Sequence, residues 1–333
     1  MQIPLFKPQT EWLPPEEFPD LKGEKEIAID LETKDPNLNK SMGSGAVVKV
    51  GEVVGISLAT KTWSGYYPIA HEGGGNMDKA MVSKWLQDVL NTSADKIFHN
   101  AMYDVCWLRS SGFTIQGRII DTMIASAIVD ENQLRYDLNN CSKRYLNESK
   151  DEAALYAAAK EWGVDAKAEM YKLPAMYVGA YAEKDAELTY KLWQELKKEI
   201  NHQDITEIWK METELFPCLV EMRFLGVRVN QEQAEIEKKT LMEHEKKLLT
   251  EVKNETGIDV QIWAARSIAQ VFDKLKLVYD RTEKTQAPSF TKNFLTHHPN
   301  PVVKKIAKAR EINKAHTTFI DTILKHTHNG RIF

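Results

Sequence analysis

The chain has 333 residues, enough for one large domain or two ordinary ones, and its 43% hydrophobic and 28% charged residues are the balance of a folded protein with a sizeable core. A formal net charge of −4 argues against a protein that coats nucleic acid electrostatically, and no apolar run approaches the roughly 20 residues of a membrane span. Cys106, Cys141 and Cys218 are odd in number and form no C-x-x-C pair, which argues against a zinc or disulfide framework and points to a reducing, cytoplasmic setting.

In chain order, residues 1–24 are rich in proline and acid, lack the basic-then-apolar layout of a signal peptide, and read as an irregular lead-in. "EIAIDLE", "VVKVGEVVGISLAT" and "TWSGYYPIA" are short, β-branched or aromatic, and broken by Gly and Ser, as strands are. "NMDKAMVSKWLQDVL" predicts an amphipathic helix and "KIFHN" a short strand. "NAMYDVCWLRSSG" predicts a helix opening at Asn100 and stopping at Gly112, followed by a strand in "TIQGRIID" and a helix in "TMIASAIVD". From Asp151 to about Ile200 the pattern is mostly helical. Strands first, then strands interleaved with helices, predict an α/β fold with a mixed sheet flanked by helices over residues 1–200.

Beyond a boundary expected near residues 200–205 the character changes to a mostly helical region, 201–333. "FLGVRV" reads as a bend. The long charged helix after it has Asn230 as its N-cap and Gly257 as its stop. Two further helices flank a polar loop, "YDRTEKTQAPSFTKN". Residues 284–314 carry seven Lys or Arg against one Glu, which permits a basic nucleic-acid surface or simply a solvated helix face.

The chemistry-bearing residues begin in "IAIDLETKDP". Along a strand Ile27, Ile29 and Leu31 face one way, and Ala28, Asp30 and Glu32 the other. Two carboxylates side by side repel and resist desolvation, so either the face is solvated or a cation sits there. Asn100 and Asp104 are spaced i, i+4, as are Tyr181 and Asp185, and Asp185 interrupts a stripe continued by Leu188 and Leu192. Each such pair alone is more often a satisfied core polar group than a ligand. Asp121 reads as a helix cap, Gly73–Gly75 as a turn, and Phe98, His99 and Tyr103 as packing residues; His297 and His298 have no Cys partners for a metal site.

Taken together, D-x-E, N-x-x-x-D and Y-x-x-x-D, in this order, resemble the three exonuclease motifs of the tyrosine-containing DEDD subgroup. They resemble above all the proofreading 3′→5′ exonuclease domain of family A (DNA polymerase I-like) polymerases. "DLETKDP", "VVGISLA", "FHNAMYD", "IIDTMIASAIV" and "AYAEKDAELTYKLW" carry the likeness through residues 25–200. "METELFPCLVEMRFLGVRVN", "TEKTQAPSF" and the closing helices resemble that family's thumb, with Gln286 and Ala287 as departures. The resemblance implies an RNase H-like sheet and then a partial thumb, without the palm and fingers that polymerise. It further implies hydrolysis of the 3′-terminal phosphodiester of DNA with two divalent ions, Mg²⁺ or Mn²⁺. Asp30, Glu32 and Asp185 would hold the ion beside the attacking water, Asp30 would bridge to the second, and Asp104 would support that one through water. Tyr181 would orient the water. Asn100 and Leu38 would meet the substrate, Leu38 as a wedge against the terminal base, although Leu38 by itself reads as an ordinary loop residue.

The implied partners are single-stranded 3′ ends, primer-template DNA and a separate palm-and-fingers polypeptide, in the cytoplasm (of the host, if the lean layout is that of a bacteriophage polymerase). An RNA-trimming DEDD enzyme and a non-catalytic DNA-binding or assembly subunit are the rival readings. The thumb-like stretch argues against the first, and the full set of acids against the second.

Overall fold

The computed structural model describes residues 10–38 and 45–333; the first nine residues of the expected lead-in lie outside them. Compact packing divides the chain into one unit through Leu225, together with Phe333, and a second from Gly226 to Ile332.

The first unit is built on a five-stranded mixed sheet in the order β3-β2-β1-β4-β5. Strand β1 (Glu26–Lys34) is followed by a single turn, α1 (Gly45–Val48), and by the antiparallel strands β2 (Glu52–Ala59) and β3 (Ser64–Pro68). Then come α2 (Lys79–Leu90), β4 (Asp95–Phe98), α3 (Ala101–Ser110) and β5 (Ile119–Asp121), with β4 parallel to both β1 and β5. Helices α4 (Thr122–Val129), α5 (Leu138–Leu146), α6 (Ala153–Trp162), α7 (Gly179–His202) and α8 (Thr206–Leu225) complete the unit. This is the mixed α/β sheet flanked by helices that the sequence predicts.

The alternation of β1 sorts the two sides of the sheet. Ile27, Ile29 and Leu31 join one core with Ile56, Leu58, Leu86, Val105 and Leu108, so α2 and α3 cover that face. Ala28 belongs to the opposite core, with Ile97, Ile120, Leu188 and Leu192, so α4, α5 and α7 cover the other. Asp30 and Glu32 therefore project toward α7. Burial of apolar surface on both faces, about 25 cal/mol per Å², fixes the register, because a slip of one residue would exchange the two faces.

Three local expectations are corrected. "VVKV" is no strand: Asp35 accepts the Gly45 N–H at 3.0 Å and anchors the α1 turn, which tucks Ala46 and Val47 into the core despite their neighbours' β-branching. "TIQGRIID" is a strand only over Ile119–Asp121, after a turn at Gly117, whose φ is +80°. The compact unit also extends past residues 200–205 to Leu225. Trp209 stacks on Trp193 of α7 at 5.1 Å between ring centres, and Phe216 and Val220 are buried in the α2–α3 core.

In the second unit, β6 (Val227–Arg228), α9 (Gln231–Thr256) and α10 (Ala265–Lys274) precede β7 (Asp280–Arg281), β8 (Pro288–Ser289) and α11 (Lys292–His297). Helices α12 (Pro301–Lys314) and α13 (Asp321–His326) are joined by a π-helical segment, and β9 (Arg331–Ile332) pairs with β6. Asn230 caps α9 by accepting the Gln233 N–H at 3.0 Å, and Gly257, at φ +75°, ends it, as expected. The polar loop instead closes a two-strand ribbon, β7–β8. Val252, Ile268, Phe272, Val303 and Ile306 give this unit a core of its own.

If α8 belongs physically to the first unit, a fragment of residues 1–225 will unfold in urea as one cooperative transition. A fragment ending at residue 202 will lose several kcal/mol, since Trp209, Phe216 and Val220 each contribute about 1.5–3 kcal/mol of burial. Equal midpoints for the two fragments would refute this assignment.

Candidate active site

Four acids and a tyrosine from three elements meet on the α7 side of β1. Glu32 lies opposite Gly55 in the β1–β2 register, and Asp30 opposite Ser57; a β-bulge follows Glu32 at once. Bulges re-aim the side chains beside them. A Cβ at Gly55 would lie 2.0 Å from the Tyr66 hydroxyl oxygen, so only glycine lets that ring lie across the strand next to Glu32. Tyr66 in turn bonds His71 Nε2 at 2.6 Å, and His71 Nδ1 donates to the Leu173 carbonyl at 2.9 Å. Burial holds the His71 pKa down to about 4, so its Nε2 is an acceptor and the phenol donates.

Asp104 comes from α3 on the other side of β1. β4 accompanies β1 only from Glu26 to Ala28, which leaves the later amides of that edge without a strand partner. Asp104 Oδ1 takes one of them, the Leu31 N–H, at 3.1 Å. The amide it accepts lies between Asp30 and Glu32, so the third acid is fixed to the backbone of the first two. Asp121 holds α3 in place from β5: it accepts the N–H groups of Asn100 (3.0 Å), Ala101 (2.8 Å) and Met123 (2.8 Å). It caps α4 as the sequence predicts, and it also caps the start of α3, which the sequence does not reveal. Arg109 and Glu221 clamp the far end of α3 to α8 with two hydrogen bonds, of 2.5 and 2.9 Å.

Asp185 and Tyr181 lie one turn apart on α7, with Asp185, Leu188 and Leu192 all buried as the stripe predicts. The first turn of α7 is gripped from the lead-in. A Cβ at Gly179 would lie 2.0 Å from the Trp12 ring, and Glu183 accepts both Trp12 Nε1–H (2.9 Å) and the Tyr66 N–H (3.1 Å). Two lysines approach from the segments around α6. Lys150 Nζ is 2.6 Å from Asp185 Oδ2 and 3.5 Å from Tyr181 Oη, and Lys167 Nζ is 3.0 Å from Tyr181 Oη. No spacing rule marks either lysine.

Asn100 does not share a helix face with Asp104. It stands before the first residue of α3 in the left-handed region (φ +66°), exposed, while Asp104 is buried. Leu38 is 48% exposed in the turn after β1. Asp35 accepts the Asn37 N–H at 2.8 Å within that turn, and its carboxylate also accepts the Tyr103 hydroxyl at 3.3 Å. Tyr103, Phe98 and His99 are packing residues, and Gly73–Gly75 form a turn. His297 caps back onto the Asn293 carbonyl at 3.0 Å.

Electrostatics governs the cluster. Burial, and next the charge of Asp185, pushes the Asp30 carboxyl up to about 7. Burial and then Asp30 raise both Glu32 and Asp104 well above the carboxylate range; burial raises Asp185 against the pull of Lys150. Tyr181 stays a phenol, raised by burial and by the acids around it. Among the described residues no three His, Cys, Asp or Glu side chains enclose one point closely enough to hold a metal ion as they stand. The donor set nevertheless fits a hard dication. It consists of carboxylate oxygens only, their ionised forms repel, and the buried Asp185 Oδ1 has no hydrogen-bond partner.

A family model described as 3′-5′ exonuclease matches residues 9–201. A DNA-directed DNA polymerase of Pseudomonas phage M6 is 32% identical over the whole chain and 51% of its own length. A DNA polymerase DpoZ of Acinetobacter phage SH-Ab 15497 is 28% identical over 91% of the chain and 49% of its own length. The chain thus spans about half the length of these curated relatives. Among solved structures, the POL domain of Pol1 from M. smegmatis, in complex with DNA primer-template and dNTP, superposes with a TM-score of 0.70 at 16% identity, over 93% of this chain and 49% of that one.

The raised carboxyls set a pH dependence. Between the ordinary Asp value of 3.8 and about 7 the folded protein keeps a proton on Asp30 that the unfolded chain has lost, so stability falls as pH rises through that window. In EDTA the melting temperature is expected to fall from about pH 5 to about pH 8, and Asp30→Asn to remove part of the fall. A flat wild-type profile would contradict this electrostatic account.

Proposed function

Since the chain belongs to the 3′-5′ exonuclease family of family A DNA polymerases, we propose that its acid cluster removes nucleotides from the 3′ end of DNA as the proofreading part of a longer polymerase. The family membership makes it a hydrolase. The observation that carries the finer reading is the meeting of Asp30, Glu32, Asp104, Asp185 and Tyr181 around strand β1, with no Ser, Thr or Cys among them. With the acids given to metal ions and Tyr181 held as a neutral phenol, water is the group that attacks the phosphorus.

Asp30, Glu32 and Asp185 would hold one Mg²⁺ or Mn²⁺, and Asp30 would share a second that Asp104 supports. Metal held by these acids would supply positive charge to the attacking and the leaving oxygen of the displacement. Tyr181 accepts from Lys167 at its oxygen, so its own O–H points toward Asp185, where it would hold the attacking water. That water forms the new bond to phosphorus while the bond to the 3′ oxygen of the preceding nucleotide breaks. The 3′ oxygen takes up a proton, and a nucleoside 5′-monophosphate departs. Tyr66 and His71, packed behind Glu32, exclude solvent from that side. Asn100 and Leu38, exposed on the α3 and β1 loops, supply contacts to the terminal nucleotide. The remainder of the polymerase, carried downstream or on a partner polypeptide, would act in the same cytoplasmic compartment.

The test is degradation of a 5′-labelled single-stranded DNA oligonucleotide by the full chain with Mg²⁺ or EDTA. A ladder shortening from the 3′ end is expected, abolished by EDTA and by Asp30→Ala/Glu32→Ala. Tyr181→Phe should slow it about 10- to 100-fold, in keeping with loss of one positioning hydrogen bond in the transition state. Intact DNA in every lane would overturn the reading, and preferential cleavage of an RNA oligonucleotide would move the protein to RNA trimming.

A further inference from the structure

Lys150 lies where the acids of the site need a cation. Its side chain is 11% exposed and that of Asp185 6%, so the pair is withdrawn from water. Burying an ammonium and a carboxylate costs more than one contact returns unless further charges share the field. Here they do, because Asp185, Asp30 and Glu32 all pull on the Lys150 ammonium. Those are the three acids that the proposed function gives to one metal ion. The same ammonium lies 5.1 Å from the centre of the Tyr181 ring. Lys150 belongs to neither α5 nor α6 but to the segment between them, beyond the left-handed Asn147 and beside the exposed Ser149 and Asp151. Lys167, on the outer side of Tyr181, touches the ring and its hydroxyl and makes no bond to Asp185.

We infer that Lys150 is a resident counterion that competes with the divalent metal for Asp185, so that metal binding displaces the Lys150 ammonium from this carboxylate. This inference rests on the metal-ligand reading above. In the metal-free protein Lys150 neutralises part of the acid cluster and keeps Asp185 turned into the site. On loading, it gives up Asp185 Oδ2 and keeps the Tyr181 contact as its remaining anchor. The exchange weakens metal affinity in return for a folded, ordered site before metal arrives.

The experiment measures Mn²⁺ binding by electron paramagnetic resonance of the free ion, and thermal unfolding in EDTA, on the full chain. Removal of a positive charge from contact with Asp185 is expected to tighten Mn²⁺ binding about tenfold in Lys150→Met. The same change lowers the melting temperature in EDTA, and saturating Mn²⁺ removes that deficit. Lys150→Arg retains the wild-type affinity. Lys150→Gln, neutral but still a donor, gives the same tightening should Lys150→Met fail to fold. Lys167→Met shifts the affinity less than Lys150→Met does. A purely structural lysine would not tighten metal binding when removed, so unchanged or weaker Mn²⁺ binding in the Lys150 variants overturns the inference. If Asp185→Asn binds Mn²⁺ as tightly as wild type, the metal-ligand assignment fails, and the inference with it.

Discussion

Four carboxylates confined to one partly buried place repel one another, and much of the first unit is arranged around that repulsion. Two like charges about 4 Å apart oppose each other by roughly 4 kcal/mol at the effective dielectric of a protein surface. The chain meets this with fixed donors and nearby cations. The Leu31 amide bonds Asp104, Lys150 bonds Asp185, and Lys167 stands over Tyr181. Among the described residues no hydrogen bond or ion pair ties down the carboxyl of Asp30 or Glu32; Gly55, Ser57 and the Tyr66 ring lie beside them, and Lys150 and Lys167 act on them through space. Compensation is thus uneven, and the two acids on β1 receive the least of it.

The geometry that produces this arrangement is the early end of β4. Had β4 run beside β1 to Glu32, its carbonyls would have taken the Leu31 N–H, and α3 could not have brought Asp104 to that edge. The short strand, the cap at Asp121 and the Arg109–Glu221 clamp together set where α3 begins and how it lies. On the opposite side, Trp12 over Gly179 and Glu183 against Trp12 and Tyr66 do the same for the start of α7. Each acid is therefore carried by an element held at its terminus, where small errors in direction would be largest.

The parts of this that were legible in the sequence are those with a period. The alternation in β1, the apolar stripe interrupted by Asp185 and the caps at Asn230 and Gly257 are local patterns, and each appears in the structure. What the sequence did not disclose depends on distant partners. Lys150 is an unremarked lysine in "NESKDE" until α7 comes beside it, and Asp121 needs α3 beside β5 to show its second role. Val47 and Val48 favour strand by themselves but follow the turn that Asp35 nucleates. Asn100 and Asp104 share a spacing without sharing a helix face, because the chain enters α3 through a left-handed residue. The edge of the compact unit at Leu225 was hidden for a related reason: α8 is charged along much of its length, and its burial lies in a few residues, Trp209, Phe216 and Val220.

The unevenly compensated acids are a burden on the fold. A chain selected for folding alone would gain by trading Asp30 or Glu32 for an amide or an apolar residue, since either change relieves repulsion at no loss of packing. Repulsion at this spot is thus a cost that the packing of the sheet carries without needing it.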